Sequence, residues 1–281
     1  MGVNEPLAFV AVSPELMALG LRMSAELGAP LRALIGFGSA LSPHMRKQDS
    51  IPDVLAVVDD VDEALRRLGE GRLVRTMAGI LPPIIVAYGD GGPGATLAKL
   101  NLIAASAALH EVRVGRDLYL AGRLSKPVAL LWARDAAAGR FALGLHAAAI
   151  RRVAAVTLAG LAGDVPLAEV VTRTIALSYR AELRPEGAAK FAAIQAAFPE
   201  FYLMTLPALL REEATRLGFD DKGGVLCDRR DESERARQRR GARRLIRRSR
   251  IRVVARMLRQ LVVYRGALEY LRGKIRRLRA G

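Results

Sequence analysis

The chain has 281 residues, of which 51% are apolar and 26% are charged, so it is long enough to bury one large core or two modest ones. Its single cysteine, Cys227, excludes a disulfide framework, and the lack of Cys-x-x-Cys spacing and of histidine clusters argues against structural zinc. The formal net charge of +16 lies entirely in residues 229–281, because residues 1–228 carry equal numbers of acidic and basic side chains.

The N-terminal part of the chain is predicted to alternate helices and strands. Ser13 followed by Pro14 indicates the start of an amphipathic helix that continues to about Leu27. Two apolar runs, residues 33–37 and 51–58, predict strands on either side of a polar loop. The next predicted elements, a helix and then a strand, are residues 61–68 and 84–88.

A glycine-rich stretch, residues 89–94, follows that strand. It lacks the Gly-Lys-Ser sequence of a P-loop, so we interpret it as a hairpin turn that leads into a strand bearing Lys99. Residues 136–217 are rich in Ala and Leu at helical spacing and predict a second domain. The Gly-, Asp- and Arg-rich residues 219–234 predict a mobile linker. The predicted division of the chain is a first domain over 1–134, a helical domain over 135–218, a basic linker over 219–240 and a helix over 241–281.

The two strands around the polar loop carry residues that suit phosphate chemistry. Gly36, Gly38 and Ser39 close the first strand, and Asp53 opens the second. Glycine lets a backbone approach a triphosphate closely, and a serine hydroxyl with nearby amides can hold phosphate oxygens. A carboxylate on the neighbouring strand can hold Mg²⁺. A nucleotidyltransferase begins its active site in this way, although Gly-Ser after an apolar run also occurs as a plain turn.

A longer motif further along the chain points to a family. Residues 118–128 read LYLAGRLSKPV and closely resemble the LYIAGRLQKPV segment of the mitochondrial-type phosphatidate cytidylyltransferases, also called the mitochondrial translocator assembly and maintenance family. The resemblance runs in the family's order from about Ile35 to the C-terminal helix, and it places Asp53 on the family's aspartate and Lys99 on its lysine. The other similar segments are residues 35–39, 52–60, 96–103, 177–179 with Arg184, and 203–207.

Several features depart from that family. Its long histidine-rich middle insertion is missing and one of its strands is reduced to residues 87–92, so the chain resembles a short, bacterial version. Position 55 is Leu, so the common Asp-x-Asp pair is not present. The family's acidic pair ahead of residue 118 is replaced here by Ala108 and Leu109, which leaves Glu111 and Asp117 as the nearest acids. The second metal ligand is therefore open. Asp59 is a candidate, and capping of the following helix is its alternative role.

The resemblance implies an α+β fold, with a nucleotidyltransferase-like mixed sheet and flanking helices, followed by a helical domain and a C-terminal basic amphipathic helix. It implies Mg²⁺-dependent transfer of CMP from CTP to phosphatidate, which forms CDP-diacylglycerol for phospholipid synthesis and releases pyrophosphate. On the matched positions, Asp53 would bind Mg²⁺, while Lys99, Arg123 and Lys126 would neutralise phosphate groups. A turn cap at Asp53 and a solvent-facing strand residue at Lys99 are the plain structural alternatives. Tyr179 and Arg184 match a family motif whose task is open.

The C-terminal segment carries an apolar stripe at steps of three and four residues, which includes Leu258, Leu261 and Leu268. Arginines lie away from this stripe, and the pattern predicts a helix that rests in a membrane interface while its arginines reach lipid phosphates. The alternative is a helix packed on the body with a solvated basic face. The arginines assigned to the membrane are Arg252, Arg256, Arg259, Arg272 and Arg276.

A neutral body with a cationic tail implies an anionic partner. Acidic lipid is favoured over nucleic acid, because the tail has an apolar stripe and few aromatic residues on which bases could stack. No basic region precedes an apolar run at the N-terminus, and His146, Arg151 and Arg152 interrupt the longest apolar tract. We therefore expect no signal peptide or transmembrane segment, and a cytoplasmic enzyme that is peripheral on the inner face of the cell membrane. A nucleotidyltransferase acting on RNA and a non-catalytic adaptor with the same fold are the alternatives.

Overall fold

The computed structural model describes residues 7–41, 51–89, 96–181, 183 and 187–263. These residues form an α+β fold in which a mixed five-stranded sheet is flanked by helices, as predicted. The strands are β1 (Leu31–Phe37), β2 (Asp53–Val58), β3 (Ile84–Gly89), β4 (Thr96–Ala104) and β5 (Val128–Ala133), in the order β3-β4-β2-β1-β5. Strands β2 and β4 run parallel, and the other neighbouring pairs are antiparallel. The antiparallel β3–β4 pair agrees with the predicted hairpin, whose turn at residues 90–95 lies outside the described residues.

The helices begin where the sequence supplies capping groups. Ser13 caps α1 by accepting the Leu16 N–H, Asp60 caps α2 by accepting the Glu63 N–H, and Asp135 caps α6. The helices are α1 (Pro14–Leu27), α2 (Val61–Arg67), α3 (Arg72–Met77), α4 (Ala105–Arg113), α5 (Tyr119–Leu124), α6 (Ala136–Ala159), α7 (Leu167–Arg180), α8 (Ala188–Ala197), α9 (Leu206–Arg216) and α10 (Glu232–Val263).

Helices cover both faces of the sheet, which is why its central strands are continuous apolar runs rather than alternating ones. On one face, fully buried side chains such as Leu34 and Val54 pack with residues of α1. On the other face, Ile35 and Leu55 pack with residues of α4, α5 and α6. The sheet is therefore a rigid central layer, and the ends of its strands are held in fixed positions.

The helical region packs around a third core and shares α6 with the sheet. Leu145 of α6 lies in the core beneath the sheet, whereas Ile150 and Leu158 lie in the core formed with α7 and α9. The predicted domain boundary at residue 135 thus coincides with the start of a helix that belongs to both cores. Among the described helices taken singly, α6 alone is long and apolar enough to cross a bilayer, but 56% of its most apolar window is buried inside the protein.

Residues 219–228 form a β-hairpin, so the prediction of a mobile linker there is wrong. Strands β7 (Phe219–Lys222) and β8 (Val225–Asp228) are joined by two glycines with positive φ, and β8 also pairs with β6 (Val165–Pro166). Beside the hairpin, Arg230 forms an almost fully buried ion pair with Asp228 at 2.7 Å. These contacts anchor the segment to the helical region.

The last described helix, α10, begins at Glu232 inside the predicted linker and turns three arginines of its C-terminal turns toward the body. Arg256 and Arg259 are only 4% and 5% exposed. Arg256 Nη2 donates to Asp117 Oδ2 at 3.0 Å, and Arg259 Nη2 donates to the Pro83 carbonyl at 2.7 Å. Arg252 also donates to Asp117. The prediction that these three arginines reach lipid phosphates is therefore wrong, because protein oxygens already hold them.

The opposite face of α10 is apolar and open to solvent. Leu258 and Leu261, both predicted to contact the membrane, are 60% and 42% exposed. They share this face with three further exposed apolar residues, which are Ile251, Val254 and Met257. Over residues 251–261 the helix is thus amphipathic, with its arginines inward and its apolar face outward. The predicted membrane residues Leu268, Arg272 and Arg276 lie outside the described residues.

Candidate active site

A cavity opens where β1 ends and β2 begins, between the sheet and the helical region. One wall comes from the sheet and from the residues around α5, and it includes Gly38, Ser39, Asp53, Arg123 and Lys126. Each of these five was predicted from sequence as a site residue, and they come from three separate segments of the chain. The other wall comes from the helical region and consists of Tyr179, Lys190, Ile194, Phe198 and Tyr202.

Asp53 is placed by the register of the sheet. It pairs with Phe37 across the antiparallel β1 and with Lys99 across the parallel β4. Lys99 therefore lies beside Asp53, one strand spacing or about 4.8 Å away along the backbone, although it is not among the residues that line the cavity. Gly38 has φ +83°, and a Cβ built on it would lie 3.9 Å from Asp53 Oδ2. A residue with left-handed backbone geometry thus turns the chain directly over the carboxylate.

Gly36 does not reach the cavity, so its predicted role in nucleotide binding is wrong. It lies within β1, and a Cβ added to it would come within 3.3 Å of the Leu131 side chain. The glycine is needed there because Leu131 of β5 packs against its backbone. Ser39, by contrast, lies in a short 3₁₀ segment after β1 and lines the cavity.

Arg123 lies at the centre of the sheet-side wall. Its Nη1 is 3.6 Å from Asp53 Oδ1, and its side chain is 16% exposed. Its guanidinium carbon is 5.4 Å from the ring centroid of Phe37 and 4.5 Å from that of Tyr119. These cation–π contacts fix the orientation of the guanidinium. Gly122 explains how α5 reaches this position, because a Cβ on it would lie only 3.1 Å from the Ser178 carbonyl of α7.

Tyr119 connects the cavity to α10. The guanidinium of Arg256 also lies 4.5 Å from the Tyr119 ring centroid, so two arginines share this ring. The Tyr119 backbone N–H donates to Asp117 Oδ1, and Asp117 accepts hydrogen bonds from Arg252 and Arg256. Burial favours a raised pKa at Asp117, but the two arginines outweigh it and lower the pKa. Asp117 therefore acts as a buried structural anion.

Glu111 lies behind the cavity rather than in it. Burial raises the pKa of its carboxyl, and the negative charge of Asp117 raises the pKa further. Neither Glu111 nor Asp117 is among the residues that line the cavity. The two acids nearest to the LYLAGRL segment in sequence therefore do not join Asp53.

Asp59 is also far from Asp53, so it is not a second metal ligand. The two lie at opposite ends of β2, about 20 Å apart for a strand of this length. Asp59 forms ion pairs at 2.7 Å with both Arg32 and Arg134. A hydrogen bond from Arg134 lowers the pKa of Asp59 more than burial raises it. Its neighbour Asp60 caps α2, which is the alternative role that the sequence left open for this pair.

The wall from the helical region contains two groups that the sequence did not single out. Lys190 lines the cavity from α8, and Tyr202 lines it from a π-helical segment, Phe201–Thr205. The Tyr202 side chain is 2% exposed, and its hydroxyl has no hydrogen-bond partner among the described residues. Burial raises the pKa of this phenol well above its ordinary value, with a contribution from Tyr179. Lys126 Nζ lies 4.1 Å from the Tyr179 ring centroid, so the two walls meet there.

The donor set at the cavity suits one kind of metal site and excludes another. Asp53 is the one carboxylate among the described residues that line it, and no group of three or more His, Cys, Asp or Glu side chains is found in the described parts of the chain. A transition-metal cage is therefore not built there. Mg²⁺ is commonly held by one or two carboxylates together with substrate phosphates, and Asp53 beside Ser39 fits that arrangement.

Of the two motif residues whose task the sequence left open, Arg184 lies outside the described residues and Tyr179 lines the cavity. Comparison with known proteins adds nothing to this geometry. No family model matches the chain, and a search of curated proteins found no match.

Proposed function

We propose that this protein is a nucleotidyltransferase that transfers CMP from CTP to phosphatidate. One observation carries the proposal: Gly38, Ser39, Asp53, Arg123 and Lys126 meet at one cavity. They come from separate stretches that resemble the phosphatidate cytidylyltransferases in sequence. A carboxylate, a glycine-serine turn and two cations are the groups that a triphosphate and its metal ion require.

The proposed reaction is an in-line displacement at the α-phosphorus of CTP. An oxygen of the phosphatidate phosphate forms the new P–O bond, the bond to the pyrophosphate oxygen breaks, and CDP-diacylglycerol and pyrophosphate are the products. The nucleophile is already an anion, so the chain needs no general base. Mg²⁺, held by Asp53 and triphosphate oxygens, would supply positive charge at the triphosphate when bound.

The residues of the chain have separate tasks in this reaction. The Gly38–Ser39 turn would hold phosphate oxygens, since glycine permits close approach of the backbone. Arg123 would neutralise charge that develops on the phosphates, with its orientation fixed by Phe37 and Tyr119 before substrate arrives. Lys126, at the junction of the two walls, would draw the second anion toward the first.

The experiment is a transfer assay with purified full-length protein, Mg²⁺, phosphatidate vesicles and each of the four nucleoside triphosphates in turn. We expect CDP-diacylglycerol with CTP and at least a tenfold lower rate with the other three. Asp53→Asn, purified in parallel, should form no product and so exclude a contaminating enzyme. Extension of an RNA primer without any lipid product would support the RNA enzyme instead, and absence of transfer to either acceptor would support the adaptor.

We also propose that α10 holds the enzyme on an anionic membrane, now through its outward face. That face carries the exposed side chains Ile251, Val254, Met257, Leu258 and Leu261. The preceding turns add exposed arginines that suit lipid phosphates, which are Arg243, Arg244, Arg247, Arg248 and Arg250.

Vesicle sedimentation tests this surface. Leu258→Ser should weaken binding to anionic vesicles about tenfold, because it removes most of the transfer free energy of one inserted side chain. Leu73→Ser is the matched control, since Leu73 is 58% exposed on α3 and Leu258 is 60% exposed on α10. Equal binding by the two variants would contradict the proposal.

A further inference from the structure

The wall of the cavity formed by the helical region carries a buried hydroxyl, a lysine and apolar side chains. We propose that this wall is the subsite for the acceptor, and that it binds a phosphate monoester that carries an apolar chain, with Tyr202 and Lys190 on the phosphate. The inference rests on the proposed nucleotidyl transfer and assigns its acceptor half to residues that the sequence motifs did not indicate.

Tyr202 is the first reason. A buried hydroxyl without a partner is unfavourable, and such groups in folded proteins are usually satisfied by water or a ligand. The hydroxyl of Tyr202 lacks a partner among the described residues, and its side chain belongs to the cavity lining. Its raised pKa keeps the hydroxyl protonated, so it can donate a hydrogen bond to an acceptor in the cavity. A phosphate oxygen would accept a hydrogen bond from it.

The charge on this wall is the second reason. Lys190 lines the cavity from α8 on this wall, and Lys126 lines the opposite, sheet-side wall where the two walls meet. The one carboxylate of the described lining, Asp53, is on the sheet side, and its Oδ1 lies 3.6 Å from Arg123 Nη1. Two ammonium groups and a phenol donor that line one cavity suit a phosphate dianion.

Apolar side chains are the third reason. Ile194 and Phe198 complete the wall, and the residues immediately after Tyr202 lie open to solvent. Leu203 is 75% exposed and Met204 is 55% exposed, although both are large and apolar. An acceptor whose phosphate reaches Tyr202 could therefore lay an acyl chain over Leu203. A small polar phosphate ester would make no contact with this exposed apolar surface.

The reaction geometry separates the two walls. In an in-line displacement, the attacking oxygen and the leaving pyrophosphate lie on opposite sides of the α-phosphorus. If the triphosphate lies along Gly38, Ser39 and Asp53, the acceptor has to approach from another side of the same cavity. The helical-region wall is the one that faces the sheet-side groups.

Steady-state kinetics with the full chain tests the assignment, with CTP and a water-soluble short-chain phosphatidate varied separately. Lys190→Ala should raise the KM for phosphatidate at least tenfold, and Tyr202→Phe should raise it about fivefold, while the KM for CTP stays within twofold. Lys222→Ala, at an exposed lysine of β7, is the control and should change neither constant. A raised KM for CTP with an unchanged KM for phosphatidate would overturn the inference and assign the wall to the nucleotide.

Two further arms identify the ligand chemistry and separate this inference from the proposed function. Leu203→Ser should raise the KM for long-chain phosphatidate vesicles and leave the short-chain KM unchanged, and glycerol 3-phosphate should compete weakly. Equal competition by glycerol 3-phosphate would overturn the apolar part. If the wild type forms no CDP-diacylglycerol, the proposed function fails, and titration calorimetry with short-chain phosphatidate still decides the subsite. Binding that Lys190→Ala weakens tenfold would support it, and no binding would overturn it.

Discussion

The two ends of β2 carry aspartates in opposite situations. Asp59, just past one end, is held at 2.7 Å by two arginines. Asp53, at the other end, has its described ion pair with Arg123 at 3.6 Å and faces a cavity. Asp59 has both of its oxygens occupied by arginine hydrogen bonds, whereas the more loosely paired Asp53 keeps more capacity to bind a ligand in the cavity. Ion pairing with arginine, rather than nearness to the sequence motif, therefore decides which aspartate suits a metal ion.

The largest expected difference between the two ends is in activity. Asp53→Asn should lower the rate of CDP-diacylglycerol formation at least about a thousandfold, because it removes the one carboxylate of the described cavity lining. Asp59→Asn should keep the rate within twofold. The rates are measured under identical Mg²⁺ and lipid conditions. A large loss in Asp59→Asn would contradict the assignment of that residue to a structural ion pair.

Acid should destabilise the two ends over different pH ranges. His146 lies behind the Asp53 end, where its Nδ1 is 2.6 Å from the Leu124 carbonyl, and burial lowers its pKa from 6.5 to about 4. The folded state therefore binds fewer protons than the unfolded state between these values. His146 therefore leaves the free energy of unfolding unchanged above pH 6.5. As the pH falls below that value, protonation of His146 in the unfolded state lowers the free energy of unfolding, by about 3 kcal/mol at pH 4.

Urea unfolding at a series of pH values checks this slope. His146→Gln should flatten the dependence of the unfolding free energy on pH between 6.5 and 4, whatever its effect on absolute stability. An unchanged slope in that variant would show that other groups cause the loss.

The arginine partners offer a second functional contrast. Arg123→Ala should lower kcat/KM about a hundredfold, the typical cost of removing one preorganised charge-stabilising donor. Arg123→Lys should recover only part of this, because lysine keeps the charge and loses the planar stack on Tyr119. Arg134→Ala, at the Asp59 end, is the matched control. Equal loss in the Arg123 and Arg134 variants would remove the functional distinction between the two ends.

The smallest effect concerns stability at the Asp59 end. Asp59→Asn should lower the unfolding free energy by less than about 1 kcal/mol, since its ion pairs are partly exposed. The pKa of Asp59 is lowered in the folded state, so this contribution is present above about pH 4 and is lost as the pH falls through the folded pKa. At pH 3 the difference in unfolding free energy between Asp59→Asn and wild type should be smaller than at neutral pH. A larger difference at pH 3 would contradict a lowered pKa at Asp59.

Much of the fold follows from local patterns in the sequence. Apolar runs predicted β1 and β2, and capping residues such as Ser13 predicted α1, because these signals act within a few residues. The hairpin at 219–228 was predictable too, since Gly223-Gly224 between two short apolar-polar runs is a recognised hairpin signal. The mistaken linker came from its charged composition.

The site was predictable only where a motif marked it. Asp53, Arg123 and Lys126 lie in segments that resemble a known family, and the cavity brings them together. Tyr202 and Lys190 were missed because nothing local distinguishes them, and they become notable only when the helical region folds against the sheet. Which face of α10 packs on the body was missed for a similar reason. An apolar stripe does not reveal that Asp117 and backbone carbonyls of distant segments accept hydrogen bonds from the helix's arginines.

The ring of Tyr119, shared by Arg123 and Arg256, connects α10 directly to the residues that line the cavity. A protein cut before α10 would lose Arg256, and with it one of the two cations that hold this ring. Such a truncation could not separate anchoring from catalysis, because the same helix would serve one with its outer face and the other with its inner face. Under the proposed function, substitutions on the outward side of α10 are therefore the way to release the protein from a membrane while the cavity stays assembled.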